Sequence, residues 1–128
     1  MKLSYAIFYV NNVNETVVFY EKAFGLTRRF IHEGGDYAEM ETGGTTLAFC
    51  AHVLASDILK RPYVKAGEQG ALIGAQITLE PQDVKSAYAN ALENGAKEIA
   101  APQLKPWNFE VALVEDCNGH IVELAKAV

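Results

Sequence analysis

The chain has 128 residues, half of them hydrophobic, with a formal net charge of −5 and a sequence pI near 5.1. This length fits one globular domain over residues 1–128, and the acidic balance disfavours nucleic acid, whose binding depends on Lys and Arg at the phosphates. No apolar run approaches the roughly 18 residues of a membrane helix, so we expect no membrane partner. Two cysteines are too few for a disulfide scaffold, which favours a cytoplasmic protein.

The N-terminal segment predicts a strand followed by one amphipathic helix. Leu3 to Val10 is almost wholly apolar, which suits a strand buried on both faces, although such a run alone does not exclude a buried helix. Asn12 is a good N-cap, Glu15 completes a capping box three residues later, and Gly25 supplies the stop. Apolar residues recur at helical spacing between these ends, so one face of the helix should be buried.

Three further strands and a linker follow. The strand-like segments are Thr27 to His32, Tyr37 to Glu41 and Thr45 to Ala51, with glycine pairs at the turns between them. Residues 52–74 show no readable periodicity and contain proline and glycine, so they form the predicted linker. Unit one therefore covers about residues 1–51.

The second half repeats this order. When the sequence is aligned on itself with Asp83 at the position of Asn12, the apolar spacing of the helix recurs. Matching periodicity at weak identity is typical of a duplicated supersecondary unit, so we expect two tandem β-α-β-β-β units, the second over about residues 75–128. Its predicted strands are Gln76 to Glu80, Glu98 to Ala100, Phe109 to Val114 and His120 to Ala125.

The tight turns before the last strand of each unit also align. Gly44 matches Gly119, so that Ala48 in the first unit corresponds to Glu123 in the second. This register depends on the turn positions alone, since a slip of one residue would move every side chain to the other face.

Two stretches carry a resemblance to a known family. They are Phe19-Tyr20-Glu21-Lys22-Ala23-Phe24-Gly25-Leu26 and the run from Val114 to Leu124, which is similar to D-P-D-G-x-x-x-E-L with Cys117 in place of the usual Pro. With Tyr9-Val10 and the Asn pair that follows, they resemble the vicinal oxygen chelate superfamily, which contains glyoxalase I, extradiol dioxygenases, fosfomycin-resistance enzymes and bleomycin-resistance proteins. The resemblance implies an α+β fold in which two tandem units form a curved, largely antiparallel eight-stranded sheet around a cavity, with the helices outside. It also implies a homodimer.

Within that fold, strand alternation assigns each residue to the helix side or to the cavity. Ala6, Phe8 and Val10 should face the helix. Trp107, in the loop before the seventh strand, should either close over a ligand or cover the sheet edge. The other side chains predicted to line the cavity and contact a ligand are Tyr5, Ile7, Tyr9, Thr46, Ala48, Cys50, Gln76, Thr78 and Glu123.

The resemblance implies four metal-ligand positions, on the first and last strands of each unit. They fall on Tyr5, Ala48, Gln76 and Glu123, of which only the last two keep plausible ligand atoms. A catalytic divalent ion needs about three protein ligands and an open position, whereas an alanine methyl offers nothing and a neutral phenol is a poor donor. We therefore expect no cofactor. A divalent metal is considered only under the alternative hypothesis that the protein is an enzyme.

The three histidines do not replace the missing ligands. His52 lies four residues beyond Ala48, about 13 Å along a strand at ~3.3 Å per residue. His32 and His120 lack a matching register, so all three are expected at the surface or in loops. Glu123 is either a strand carboxylate bonded to a neighbour or a ligand contact, and it is the candidate catalytic base.

These observations predict a glyoxalase and bleomycin-resistance type of protein that binds a small organic molecule without a metal. Aromatic walls and two carboxylates, Glu80 at the end of its strand and Glu123, would suit a planar or amphipathic ligand carrying positive charge. The alternative is a lyase or isomerase of the glyoxalase type, similar to lactoylglutathione lyase, that uses Glu123 with or without a divalent metal. A third hypothesis is a cavity filled by its own side chains, in a protein that acts through protein contacts.

Overall fold

The chain runs through strands and helices in the order expected of a duplicated unit. The computed structural model describes residues 1–128. None of the helices is long and apolar enough to cross a bilayer. The elements are β1 (Tyr5–Val10), α1 (Val13–Phe24), β2 (Thr27–Ile31), β3 (Tyr37–Glu41), β4 (Thr46–Ala51), α2 (His52–Leu59), β5 (Gln76–Leu79), α3 (Val84–Glu93), β6 (Lys97–Leu104), β7 (Phe109–Glu115) and β8 (Ile121–Ala127).

The eight strands form two four-stranded mixed sheets. Their orders are β1-β4-β3-β2 and β5-β8-β7-β6. The pairs β1–β4 and β5–β8 are parallel, whereas the other pairs are antiparallel. The predicted α+β class and the two tandem units are confirmed. The predicted single eight-stranded sheet is instead two separate open sheets, because no strand of one unit pairs with a strand of the other.

Side-chain caps fix where the two long helices begin. Oδ1 of Asn12 accepts a hydrogen bond from the backbone N of Glu15 at 2.9 Å, and Oδ2 of Asp83 accepts one from the N of Ser86 at 2.8 Å. After α1, Gly25 adopts the left-handed conformation at φ 66°, which glycine does without the penalty of a Cβ atom. The predicted N-cap at Asn12 and the stop at Gly25 are confirmed, whereas the Glu15 side chain does not close the predicted capping box.

The main core lies between the helices and the outer faces of the sheets. Ala6, Phe8 and Val10 point to this side, as predicted, and pack against α1 and its neighbours. Full burial of one such large side chain contributes roughly 1.5–3 kcal/mol. The core joins the two units, since its fully buried members include Val17, Tyr20 and Phe49 from the first and Val114 and Val122 from the second.

The segment predicted as a linker contains a helix. α2 begins at His52, directly after β4, and only His52 and Ala55 among its eight residues are buried. So short and exposed a helix lacks the long apolar stripe from which helices are predicted. The strand boundaries differ mainly at β6, which spans Lys97–Leu104 rather than Glu98 to Ala100.

A buried hydrogen bond joins the two units at the turn between β7 and β8. The hydroxyl of Tyr20 on α1 donates to Oδ2 of Asp116 at 2.5 Å, and both residues are buried. Burial by itself would raise the pKa of Asp116, but the His120 imidazole and the Tyr20 hydroxyl hold this pKa below its usual value. Burial and the charge of Asp116 raise the pKa of Tyr20, so the phenol stays protonated and remains the donor.

Two further contacts hold the same turn. Nδ2 of Asn118 donates to Oγ1 of Thr16 on α1 at 2.9 Å. On the other side, the linker approaches the turn so closely that a Cβ atom added at Gly119 would lie 2.7 Å from the N of Gly67. The last turn of the chain is therefore held between α1 and the linker.

Candidate ligand-binding site

The inner face of the first sheet, opposite the core, carries most of the predicted ligand-binding residues. Directly paired strand residues share a face. Tyr5 and Ile7 are 48 % and 46 % exposed there, whereas Ala48 and Cys50 are buried. The predicted phase of β1 and β4 is confirmed by the pairing, which sets Tyr5 beside Thr46, Ile7 beside Ala48, and Tyr9 beside Cys50.

The inner face of the second sheet carries Gln76, Thr78 and Glu123. Gln76 pairs with Ile121, and Thr78 pairs with Glu123. Oγ1 of Thr78 donates to Oε1 of Glu123 at 2.8 Å, and Nε2 of Gln76 donates to Oγ1 of Thr78 at 3.5 Å. One oxygen of the Glu123 carboxylate is thus fixed by its neighbour, and the other accepts no side-chain hydrogen bond.

A buried acidic residue on the first inner face was not found from the sequence. Glu39 pairs with Ala48 across β3 and β4 and is 8 % exposed. Its carboxylate accepts hydrogen bonds at 2.8 Å from Nη1 of Arg29 and from the hydroxyl of Tyr37. Burial and the bond to Glu39 raise the pKa of Tyr37, so this phenol also stays protonated. Glu39 is therefore a satisfied carboxylate beside one of the predicted metal positions.

Arg29 reaches the inner face because the β2–β3 register shifts between Arg28 and Phe30. Such a bulge redirects a side chain. The guanidinium donates through Nε and Nη2 to the two oxygens of Glu41 at 2.9 and 3.0 Å, which lowers the pKa of Glu41. With Glu39, the cluster contains two carboxylates and one guanidinium and keeps one excess negative charge.

The four predicted metal positions do not share a main cavity of the chain. Tyr5 and Ala48 lie on one sheet, Gln76 and Glu123 on the other, and none of them lines any of the five main cavities. A common pocket for the four therefore stays a prediction. The predicted ligand-binding residues that do line a main cavity are Ile7 and Tyr9, in a space of about 240 Å³ between β1 and the linker, which we call the junction cavity.

Comparison with known proteins decides the family. The model of the Glyoxalase/Bleomycin resistance protein/Dioxygenase superfamily matches residues 2–124. The chain belongs to this superfamily. No curated protein sequence matches it significantly.

Solved structures of superfamily members share the fold at low identity. A glyoxalase/bleomycin resistance protein/dioxygenase family enzyme from Burkholderia phytofirmans superposes with a TM-score of 0.83 at 17 % identity, over 100 % of both chains. A glyoxalase-related enzyme from Fulvimarina pelagi gives 0.83 at 14 % identity, over 98 % of this chain and 87 % of that one. A superfamily member from Sphaerobacter thermophilus gives 0.70 at 21 % identity, over 98 % and 96 %.

The four positions that the resemblance assigns to a metal supply too few ligand atoms for a divalent ion in this chain. Ala48 offers only a methyl group, and the Tyr5 phenol is a poor donor when neutral. One oxygen of Glu123 already accepts the Thr78 hydroxyl. No group of three or more His, Cys, Asp or Glu side chains is placed to hold an ion. The donor set is too small for the three protein ligands that Lewis-acid chemistry requires.

Two of the three histidines are more buried than expected. His32 is exposed, as predicted. His52 is only 9 % exposed, and its Nδ1 lies 2.7 Å from the hydroxyl of Tyr63. His120 stacks on Phe8 with ring centroids 4.0 Å apart, and 11 % of its side chain is exposed. The prediction is wrong for His52, which is buried at the start of α2. His120 does lie in a loop, between β7 and β8, as predicted, but β1 covers it.

Trp107 and Cys50 occupy opposite environments. Trp107 lies in the turn between β6 and β7 and is 64 % exposed, so within one chain it covers little of the sheet edge. Cys50 is buried on the inner face, and burial together with the charge of Asp36 raises the pKa of its thiol. A thiol held protonated at neutral pH is a weak nucleophile.

Proposed function

We propose that this member of the superfamily binds a small planar or amphipathic organic cation on its inner faces without using a metal. The observation that carries the proposal is that Tyr5 and Ala48 stand at two of the four positions assigned to a metal, whereas Glu123 keeps a carboxylate at the corresponding position of the second unit. A carboxylate without an ion to bind is free to accept a positively charged ligand.

The chemistry of the inner faces supports this ligand class. Glu39, Glu41 and Glu123 contribute three carboxylates against the single guanidinium of Arg29, so the faces are negative. The exposed ring of Tyr5 offers a flat apolar surface on which a cation is favoured by roughly 0.5–2 kcal/mol. A ligand with a flat body and one positive group would use both features.

We propose further that a homodimer completes the site. Both sheets are open, and large apolar residues remain exposed on or near their inner faces, including Tyr5, Ile7, Phe30 and Phe109. Burying such residues against a second copy would enclose the inner faces, with Trp107 available to close over the ligand. Sedimentation equilibrium should give twice the chain mass of 14.0 kDa, and Phe30→Glu should shift the protein to monomer. A wild-type protein that stays monomeric at tens of micromolar would contradict the dimer.

Calorimetric titration with benzyltrimethylammonium tests the ligand class. Binding should weaken roughly tenfold in Glu123→Gln, because the isosteric amide removes the charge. Glu80→Gln makes the same charge change outside the inner faces, beside α3, and should leave binding unchanged. Equal effects of the two substitutions would contradict the proposed site. A stoichiometric, sub-micromolar Ni²⁺ or Zn²⁺ site that is lost in Glu123→Gln would overturn the metal-free proposal.

A second candidate is a lyase or isomerase in which Glu123 acts as general base. The observation in its favour is the geometry of the carboxylate, which is oriented by Thr78 through one oxygen and open through the other. Turnover of the hemithioacetal of methylglyoxal and glutathione, lost in Glu123→Gln, would support this function. Inactivity with and without added divalent metal would remove it.

We expect this binding function to operate in the reducing cytoplasm. Cys50 and Cys117 are both free, which suits that compartment.

A further inference from the structure

The junction cavity lies where β1, the start of α2, the linker and the approach to β8 meet. Its walls are mainly apolar and aromatic, from Phe8 and Tyr9 on β1 to Tyr63 and Ile73 in the linker. The edge of the Tyr9 ring meets Tyr63 with centroids 5.3 Å apart. The volume is about 240 Å³, and since roughly 150 Å³ accommodates benzene, there is space for one aromatic ring with a polar substituent.

The charge of this lining is opposite to that of the whole chain. The protein carries a net charge of −5, yet no Asp or Glu lines the cavity, whereas Lys65, His52 and His120 do. Lys65 is only partly exposed, and it takes part in none of the ion pairs of the chain. Its ammonium is therefore a cation without a carboxylate partner at the edge of an apolar space.

Both imidazoles are held in place by other residues of the cavity wall. His52 is fixed through its Nδ1 contact with Tyr63. His52, His120 and Lys65 line the same cavity. Burial, then the charges of Lys65 and His120, lower the pKa of His52, and the charge of Glu68 opposes this in part. An anion among them would relieve this repulsion.

Asp116 lies next to the cavity, behind His120, but does not line it. Nδ1 of His120 is 3.3 Å from Oδ2 of Asp116 and forms no directed hydrogen bond with it. The carboxylate is occupied by the Tyr20 hydroxyl at 2.5 Å and by the backbone N–H groups of Asn118 and His120 at 2.8 and 2.9 Å. Its charge is thus shared by these three donors and by the imidazole beside it.

We propose that the junction cavity is a second binding site, for a small flat anion of the aromatic carboxylate class. The ring lies among Phe8, Tyr9 and Tyr63, and the carboxylate faces Lys65 and the two imidazoles. The site adjoins the inner face through Ile7 and Tyr9 but does not depend on the cation site proposed above, since the two take ligands of opposite charge through different residues.

Calorimetric titration of the full chain with benzoate, and separately with benzylammonium, tests this proposal. Benzoate should bind with one-to-one stoichiometry, and the cation should not displace it. Lys65→Gln should weaken benzoate binding roughly tenfold, as expected for loss of a charge-assisted hydrogen bond. Lys60→Gln makes the same charge change at an exposed position in the same segment and should have no effect.

Two further measurements locate the benzoate site without changing the charge of Lys65. Ala75→Leu adds bulk to the cavity wall without altering charge, and it should abolish benzoate binding while thermal unfolding stays cooperative. Amide chemical shifts on benzoate addition should change around Phe8, Tyr63 and His120. No benzoate binding at millimolar concentration, equal affinity in Lys65→Gln and Lys60→Gln, or shifts centred on Glu123 would each overturn the proposal, whatever the fate of the cation site.

Discussion

Replacing Tyr20 by Phe removes one hydroxyl from the contact between the two units and should lower the free energy of unfolding by about 2 kcal/mol. The hydroxyl donates to Oδ2 of Asp116 at 2.5 Å, and both residues are buried. A hydrogen bond to a charged acceptor contributes ~1.5–3 kcal/mol. The backbone N–H groups of Asn118 and His120 still bind Oδ1, so the carboxylate is not left without donors and the middle of that range applies.

Thermal unfolding followed by circular dichroism measures this loss. Unfolding entropy of about 2.1 cal/mol/K per residue gives roughly 270 cal/mol/K for this chain, so 2 kcal/mol corresponds to a fall in Tm of about 7 °C. Tyr88→Phe is the matched control, because the Tyr88 hydroxyl bonds to the exposed Glu98 and its loss should cost under about 1 kcal/mol. An equal fall in Tm for both variants would refute the reasoning.

The effect of Tyr20→Phe should also depend on pH. The pKa of Asp116 is lowered in the folded state, so its stabilising contribution is fully present above the unfolded pKa of about 3.9 and is lost as pH falls through the folded value. Tyr20 is one cause of that lowering. The difference in stability between wild type and Tyr20→Phe should therefore be largest near neutral pH and shrink below about pH 3. A difference that is constant with pH would show that the ionised carboxylate is not involved.

Gly119→Ala should cost at least ~3 kcal/mol in urea unfolding, because the new Cβ would lie 2.7 Å from the N of Gly67 and φ is +98°. Gly44→Ala meets no atom within 4 Å and should cost under about 1 kcal/mol; similar costs would contradict the close approach. Burial and the charge of Asp116 raise the pKa of the Cys117 thiol to about 11. The rate at which iodoacetamide labels Cys117 should therefore rise about tenfold per pH unit between pH 7 and 10. Peptide mass spectrometry measures this rate. A rate that levels off near pH 8 would argue against that environment.

The parts of the fold that depend on local chemistry could be predicted from the sequence. Asn12 and Asp83 are N-caps because of their own side chains and the residues next to them, and strand alternation was enough to assign Tyr5, Ile7 and Tyr9 to the inner face. The order of the elements could be predicted from the repeat, since the two halves show weak strand and helix patterns in the same order and thus support one architecture.

Features that depend on distant parts of the chain were missed. Arg29 turns inward through a register shift in β2–β3, and no local pattern marks it. Glu39 appears as an ordinary exposed strand residue until Arg29 and Tyr37 are placed beside it. His120 is buried because β1 packs over it, and this contact between units leaves no periodicity in the sequence.

The hydrogen bond between Tyr20 and Asp116 has a consequence for how the chain can be divided. Each half supplies one member of this buried pair, so a fragment ending in the linker would leave a phenol or a carboxylate without its partner. Two such fragments would therefore regain native structure by associating with each other, and they would do so better than either could fold alone.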